Sequence, residues 1–117
     1  MSIQTLVWDE NISLKNIDKF KRCIDQILLS KKTGLILDLE KVAYMNELAL
    51  GIIANAVKEA MKMKKEIVII NNQKTLKTIF EIVSFYSLVK VFSNRQQALH
   101  YFQKNIFRPS KKKVANG

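Results

Sequence analysis

Residues 34–51 read Gly-Leu-Ile-Leu-Asp-Leu-Glu-Lys-Val-Ala-Tyr-Met-Asn-Glu-Leu-Ala-Leu-Gly, and this stretch decides the fold. Leu35 to Leu39 form a short, mostly apolar run, which is typical of a strand covered on both faces. After a turn, a helix is predicted to begin near Glu47 and to run to about Lys64. A covered strand that leads into a long helix indicates an α/β fold.

The apolar positions of this helix predict which side chains it buries. They recur at three- and four-residue steps: Leu50, Ile53, Val57 and Met61. Alanines beside them are small enough to let the helix lie close to the sheet: Ala49, Ala56 and Ala60.

The residues before this stretch predict a strand and a helix. A strand is expected at residues 3–8, and a second, very short one near Ile12. The first helix follows Asn16, a suitable N-cap residue. Its apolar positions are Ile17, Phe20, Ile24, Ile27 and Leu28. Gly34 is expected to take the positive-φ conformation that commonly closes a helix.

The residues after the long helix predict two more strands and two more helices. A strand at 66–70 is followed by a third helix, which Asn71 or Asn72 is expected to cap. This helix carries Leu76, Ile79, Phe80 and Val83. A last strand at 88–92 precedes a short terminal helix that contains Ala98, Leu99 and Phe102. Strands that alternate with helices along the chain predict a mostly parallel sheet of four to five strands with about four helices.

Length and composition limit the chain to one domain. It has 117 residues, 48% of them apolar, which suits a single core, predicted over residues 1–103. No apolar stretch approaches the roughly 20 residues of a membrane span, and no signal sequence is recognisable, so a cytoplasmic location is expected. Cys23 and His100 are each the only residue of their type, so no metal site is expected, and both are interpreted as structural or surface residues.

Half of the net charge of +10 lies in the C-terminal segment. Residues 104–117 form a basic segment without an acid, and they are expected to be disordered. Since the other basic residues are interspersed with acids, no specific nucleic-acid partner is expected. Weak contact with an anionic membrane through Lys111, Lys112 and Lys113 remains open.

From Gly34 to Phe102 the order of elements resembles the STAS domain, the fold of anti-sigma-factor antagonists. The resemblance rests on the strand 35–39 with Asp38, the turn ending at Met45, the helix opening at 46–52, the strand entry at 64–70 and the closing segment 92–99. About 70 residues correspond. The resemblance implies a STAS-type sandwich and a protein that works by binding another protein.

The chain departs from the family at the residues that matter for switching. In switching members the helix opens with Asp-Ser-Ser/Thr-Gly-Leu-Gly, and the first hydroxyl residue is phosphorylated by a kinase that is also the anti-sigma factor. Here the corresponding residues, 46–51, read Asn-Glu-Leu-Ala-Leu-Gly, and Glu47 replaces the phosphorylatable residue. Glu47 is thus a degenerate phosphorylation site.

Three interpretations of Glu47 stay open. It imitates the phosphorylated state, it is a favourable first-turn acid, or it contacts a partner itself. Asn46 is a good helix cap at the position of the family's aspartate, and Leu48 is an apolar contact if it is exposed. The resemblance therefore implies a partner-binding surface that comprises Asn46, Glu47, Leu48 and Leu50.

Two kinds of partner follow from the resemblance. One is an anti-sigma factor of the serine-kinase-like ATPase type, or a related regulator, which makes the chain a regulator of bacterial transcription. The other is the ATPase of a lipid-transporting ABC complex, in which STAS proteins serve as small subunits. The sequence does not decide between them, nor does it fix the oligomeric state.

No enzyme is predicted from the residues. The chain has neither a Gly-rich phosphate loop nor the G-x-S-x-G or H-E-x-x-H motifs, and it holds three glycines in all. Asp38 lies at the end of a strand without a paired acid or base, so it is interpreted as orienting the following turn. No cofactor is expected.

Overall fold

Four parallel strands lie side by side in chain order. The computed structural model describes residues 2–104. Its strands are β1 (Ile3–Val7), β2 (Gly34–Asp38), β3 (Glu66–Ile70) and β4 (Lys90–Phe92), and each pairs with the next. All five residues of β2 are buried, as its apolar run predicts for a central strand.

Four helices and one short turn connect and follow the strands. They are α1 (Ile17–Leu28), α2 (Glu47–Lys62), α3 (Lys74–Ile82) and the terminal helix at 95–104, here α4, with a 3₁₀ turn at Phe85–Ser87 before β4. The predicted α/β fold with a parallel sheet and about four helices is confirmed. The short strand expected near Ile12 is a single parallel bridge between Ile12 and Met45.

Helices cover both faces of the sheet. On one face α1, α2 and α3 enclose the main core, which holds fully buried Phe20, Ile53 and Phe80. On the other face Ala98 and Phe102 of α4 pack with β2 and β3 side chains, among them Ile36 and Val68. Cys23 lies partly buried against the main core, and His100 is exposed on α4.

The prediction that Met61 lies on the buried face of α2 is wrong. Ala49, Ile53, Ala56, Val57 and Ala60 are the buried residues, whereas the Met61 side chain is 65% exposed. The two four-residue steps from Ile53 to Val57 and on to Met61 each turn about 40° around a helix with 3.6 residues per turn, so Met61 lies about 80° from Ile53 and leaves the core-facing side. Val83, at the C-terminal end of α3, is likewise 48% exposed.

Asn16 occupies the N-cap position of α1 as predicted, but its side chain makes no capping bond, and neither Gly34 nor Asn71 or Asn72 caps a helix. The Asn16 side chain accepts from the Ser13 N–H and makes no capping bond to α1. The N-cap of α3 is Gln73. Gly34 lies within β2, and no described glycine has positive φ. Lys65 instead donates from Nζ to the carbonyls of Leu28, at 2.7 Å, and Ser30 at the end of α1.

Two further properties hold for the described part of the chain. Within residues 2–104 no helix is long and apolar enough to cross a membrane. Over the same residues no cluster of His, Cys, Asp and Glu side chains could hold a metal ion. Of the basic segment 104–117, Lys104 belongs to α4, and residues 105–117, with Lys111, Lys112 and Lys113, lie outside the described residues.

Candidate partner-binding site at the start of α2

The segment 39–46 connects β2 to α2 at the edge where the strands end, here the carboxyl edge. Asp38 fixes its first turn, since Oδ1 accepts from the Glu40 N–H at 3.1 Å. The other oxygen, Oδ2, accepts from Nη2 of Arg95 at 2.9 Å. This is the turn-orienting role predicted for Asp38, and the ion pair also ties the turn to α4.

Side chains that follow β3 hold the middle of this segment. Asn71 Nδ2 donates to the carbonyls of Leu39, at 2.7 Å, and Val42, at 2.9 Å. Asn71 is buried, so these bonds are made away from water, where an unmade bond is costly. The Thr75 hydroxyl donates to the Ala43 carbonyl at 2.6 Å. The segment is therefore anchored to β3 and α3 through its own backbone.

The loop after β1 holds the segment from the opposite side. Asn11 Oδ1 accepts from the backbone N–H groups of Ala43, at 2.9 Å, and Tyr44, at 3.1 Å. Ile12 adds two backbone bonds, accepting from the Asn46 N–H and donating to the Tyr44 carbonyl, each at 3.1 Å. Because the segment 39–46 is hydrogen-bonded on both sides, the start of α2 has a defined position.

Asn46 is the N-cap of α2, as its position in the sequence predicts. Its backbone is extended, with φ −79° and ψ 174°, and its Oδ1 accepts from the Ala49 N–H at 2.9 Å. This bond satisfies one of the four N–H groups that a helix leaves unpaired at its start. The remaining first-turn N–H groups and the helix dipole make this end of α2 favourable for negative charge.

Glu47 and Leu48 present an acid and an apolar side chain side by side on the surface. Glu47 is exposed, and its carboxylate makes no hydrogen bond or ion pair with any other residue in the described range 2–104. Leu48 is 56% exposed. An exposed leucine beside a charged residue at a rigid helix start is a suitable contact for another protein.

Leu50 differs from the other predicted site residues. It is half-buried and packs against the main core, and Ala49 beside it is fully buried. The structure therefore brings Asn46, Glu47 and Leu48 together at the surface, while most of Leu50 faces inward.

A shallow groove between α1 and α2 leads away from Glu47 and Leu48. It encloses about 320 Å³, and its walls include Ile24, Leu28 and Gly51. A Cβ built on Gly51 would meet no atom within 4 Å, so the packing of this chain does not require glycine there. The Lys21–Asp25 ion pair, 2.8 Å long, lies along the α1 side.

The supporting residues Asn11, Asn71 and Thr75 were not predicted from the sequence. The available signal was position, since Asn11 and Asn71 follow β1 and β3 closely, and polar residues there meet at the carboxyl edge of a parallel sheet. Asn71 was instead interpreted as a helix cap, a role that the same side chain fills in many other proteins.

The family model of the STAS domain matches residues 2–98, and the chain therefore belongs to the STAS domain family. No curated protein sequence matches the chain.

Solved structures of similar fold come from two kinds of protein. An anti-sigma factor antagonist from Mycobacterium paratuberculosis has a TM-score of 0.78 and 12% identity, with 85% of this chain and 84% of that chain covered. A putative anti-sigma factor antagonist from Thermotoga maritima has a TM-score of 0.77 and 17% identity, with 85% and 86% covered.

The third structure is the STAS domain of a SulP transporter from Vibrio cholerae. Its TM-score is 0.70 at 16% identity, with 89% of this chain and 83% of that chain covered. At such low identities these similarities establish the fold alone, and they show that this fold serves both regulators and transporters.

Proposed function

We propose that the chain is a non-catalytic, cytoplasmic protein-binding domain that regulates bacterial transcription in the manner of an anti-sigma-factor antagonist. The exposed pair Glu47 and Leu48, on a helix start fixed from both sides, is the observation that carries the proposal. Its binding surface comprises Asn46, Glu47, Leu48 and the exposed part of Leu50. The partner is an anti-sigma factor of the serine-kinase-like ATPase type or a related regulator.

Glu47 makes this binding independent of phosphorylation at the usual site. A carboxylate has a charge of about −1 at pH 7, whereas a phosphoserine has about −1.5 to −2 and three acceptor oxygens. Its charge is permanent and lies where the α2 dipole favours an anion. A kinase partner can neither add nor remove it, so the chain remains in one state toward that partner.

A second candidate function is that of a STAS subunit in a lipid-transporting ABC complex. The similarity to a transporter STAS domain supports it, because the same fold there belongs to a transport protein. In this alternative the surface at Glu47 and Leu48 contacts the transporter ATPase, and no switching is involved.

The test is affinity capture of partners from a lysate of the organism that encodes the chain. The bait is the full chain, and Glu47→Ala is compared with Glu81→Ala, which removes another exposed acid, from α3. We expect the first variant, but not the second, to change recovery of the partner.

Each outcome decides between the two functions. Recovery of a kinase-like ATPase or a sigma regulator, dependent on Glu47, supports the antagonist-like function. Recovery of a transporter ATPase with its permease supports the transport function instead. If neither Glu47→Ala nor Glu81→Ala changes the recovery of the partner, Glu47 is only a first-turn acid.

A further inference from the structure

The edge where the four strands begin, here the amino edge, is strongly basic. Its exposed lysines are Lys31, Lys32, Lys62, Lys64, Lys90 and Lys104. Of the acids nearby, Glu59 pairs with Lys62 at 3.6 Å, Glu66 accepts from the Tyr101 hydroxyl at 2.6 Å, and Glu81 lies close to Tyr86. The other five lysines have no acidic partner within residues 2–104, so this edge has an excess of positive charge.

Backbone contacts bring these lysines from separate turns to one surface. Lys65 donates to two carbonyls at the end of α1, which places the turn after α2 beside the turn that contains Lys31 and Lys32. The Glu66 N–H donates to the Thr33 carbonyl at 3.0 Å. The Tyr101 contact with Glu66 shows that α4 ends at the same edge, and Lys104 follows one turn later.

Large aliphatic side chains stand exposed among the lysines. Leu29 is 78% exposed, Met61 65% and Met63 44%. Beside Met61 an open groove of about 460 Å³ runs to Tyr86 and Lys90. The exposed aliphatic side chains and the groove thus both lie beside lysines. The long stems of these lysines extend the apolar surface while their ammonium groups remain in water.

We propose that the amino edge docks on an anionic membrane surface. Aliphatic side chains interleaved with lysines are typical of proteins that lie in the membrane interface, where the apolar groups enter the headgroup region and the lysines meet anionic lipids. Recognition of RNA relies more on arginine, and of the arginines among residues 2–104, Arg22 lies midway along α1 and Arg95 pairs with Asp38 at the carboxyl edge. The chain continues from α4 at this edge into a segment whose sequence adds Arg108, Lys111, Lys112 and Lys113 and no acid.

Docking by the amino edge leaves the candidate partner-binding site free. The start of α2 lies at the carboxyl edge, at the opposite end of the strands from the amino edge, so Glu47 and Leu48 face away from the membrane. The proposal does not depend on which partner binds there.

The test is co-sedimentation of the full chain with phosphatidylcholine vesicles, with and without phosphatidylglycerol. We expect binding only to the vesicles that contain phosphatidylglycerol, and weaker binding at raised salt. The triple variant Lys31→Glu, Lys32→Glu, Lys64→Glu should lower the affinity at least about tenfold, because each lysine near the surface contributes to the attraction. The matched control reverses three exposed lysines of the carboxyl edge, Lys15, Lys41 and Lys74, and should change the affinity less than about twofold.

A second pair of variants tests the apolar part of the surface. Leu29→Ser with Met61→Ser should weaken vesicle binding and leave its salt dependence intact. Leu14→Ser with Val7→Ser, which remove side chains that are 78% and 57% exposed at the carboxyl edge, serve as the control. Urea unfolding of every variant confirms that each is folded.

Several results would overturn the proposal. One is absence of binding to anionic vesicles. Another is an equal loss of vesicle affinity in the two triple variants. A third is a loss of vesicle affinity that occurs only when Lys111, Lys112 and Lys113 are replaced with glutamine. Tighter binding to a mixed-sequence RNA than to the vesicles, abolished by the first triple variant, would assign the edge to nucleic acid.

Discussion

The side-chain nitrogen of Asn71 lies 2.9 Å from the carbonyl oxygen of Val42, and a second bond of 2.7 Å joins it to Leu39. Both carbonyls belong to the segment that leads into α2, so the end of β3 determines where α2 starts. The position of Glu47 and Leu48 thus depends on a buried amide that contacts neither of them.

Replacing Asn71 with alanine should destabilise the fold by about 2–3 kcal/mol, because two buried carbonyls lose their donor. Asn72→Ala, at an exposed neighbouring position, should change stability by less than about 0.5 kcal/mol. Urea unfolding of the two variants measures the difference. Equal stabilities would show that water replaces the Asn71 amide at no cost.

Loss of the α2 cap should lower the stability of the fold less than Asn71→Ala does. Asn46→Ala removes the bond to the Ala49 N–H and should cost about 1 kcal/mol of folding free energy. Asn46→Asp retains an acceptor and places a negative charge at the helix start, so it should match or exceed the stability of the natural chain. Thermal unfolding is the measurement, with Asn55→Ala, in the exposed middle of α2, as the control. An Asn46→Asp variant less stable than Asn46→Ala would contradict this interpretation of the cap.

Gly51 allows stability and binding to be separated. Since a Cβ at this position meets no atom within 4 Å, Gly51→Ala should stabilise α2 by about 0.5–1 kcal/mol through its higher helix propensity. If a partner lies in the groove between α1 and α2, the same methyl group should weaken its binding. Unfolding and partner titration on one preparation measure both effects. A variant that gains stability and binds unchanged would place the partner contact outside the groove.

The sequence predicted the layers of the fold because their signals are local. The covered strand at 35–39 and the periodic apolar residues of α1 and α2 each follow from neighbouring residues alone. Asn46, Glu47 and Leu48 were identified through the family resemblance, and the structure places them together at the surface.

The contacts that the sequence did not predict join residues far apart in the chain. Asn71 and Val42 are 29 positions apart, and Lys65 and Leu28 are 37 apart. Local propensity assigned Asn71 and Gly34 to helix ends, but tertiary hydrogen bonds and strand pairing determine their actual roles. The basic amino edge was hidden for the same reason, since its lysines come from four separate segments of the chain.

The most direct test of the central claim is titration of the captured kinase-like ATPase with the natural chain, Leu48→Ala and Ile82→Ala. The two substitutions remove exposed aliphatic side chains of similar size, 56% and 77% exposed, from α2 and α3. If Leu48 is buried against the partner, Leu48→Ala should weaken binding about tenfold, while Ile82→Ala should change it less than about twofold. Equal affinities for all three chains would contradict a partner-binding surface at the start of α2.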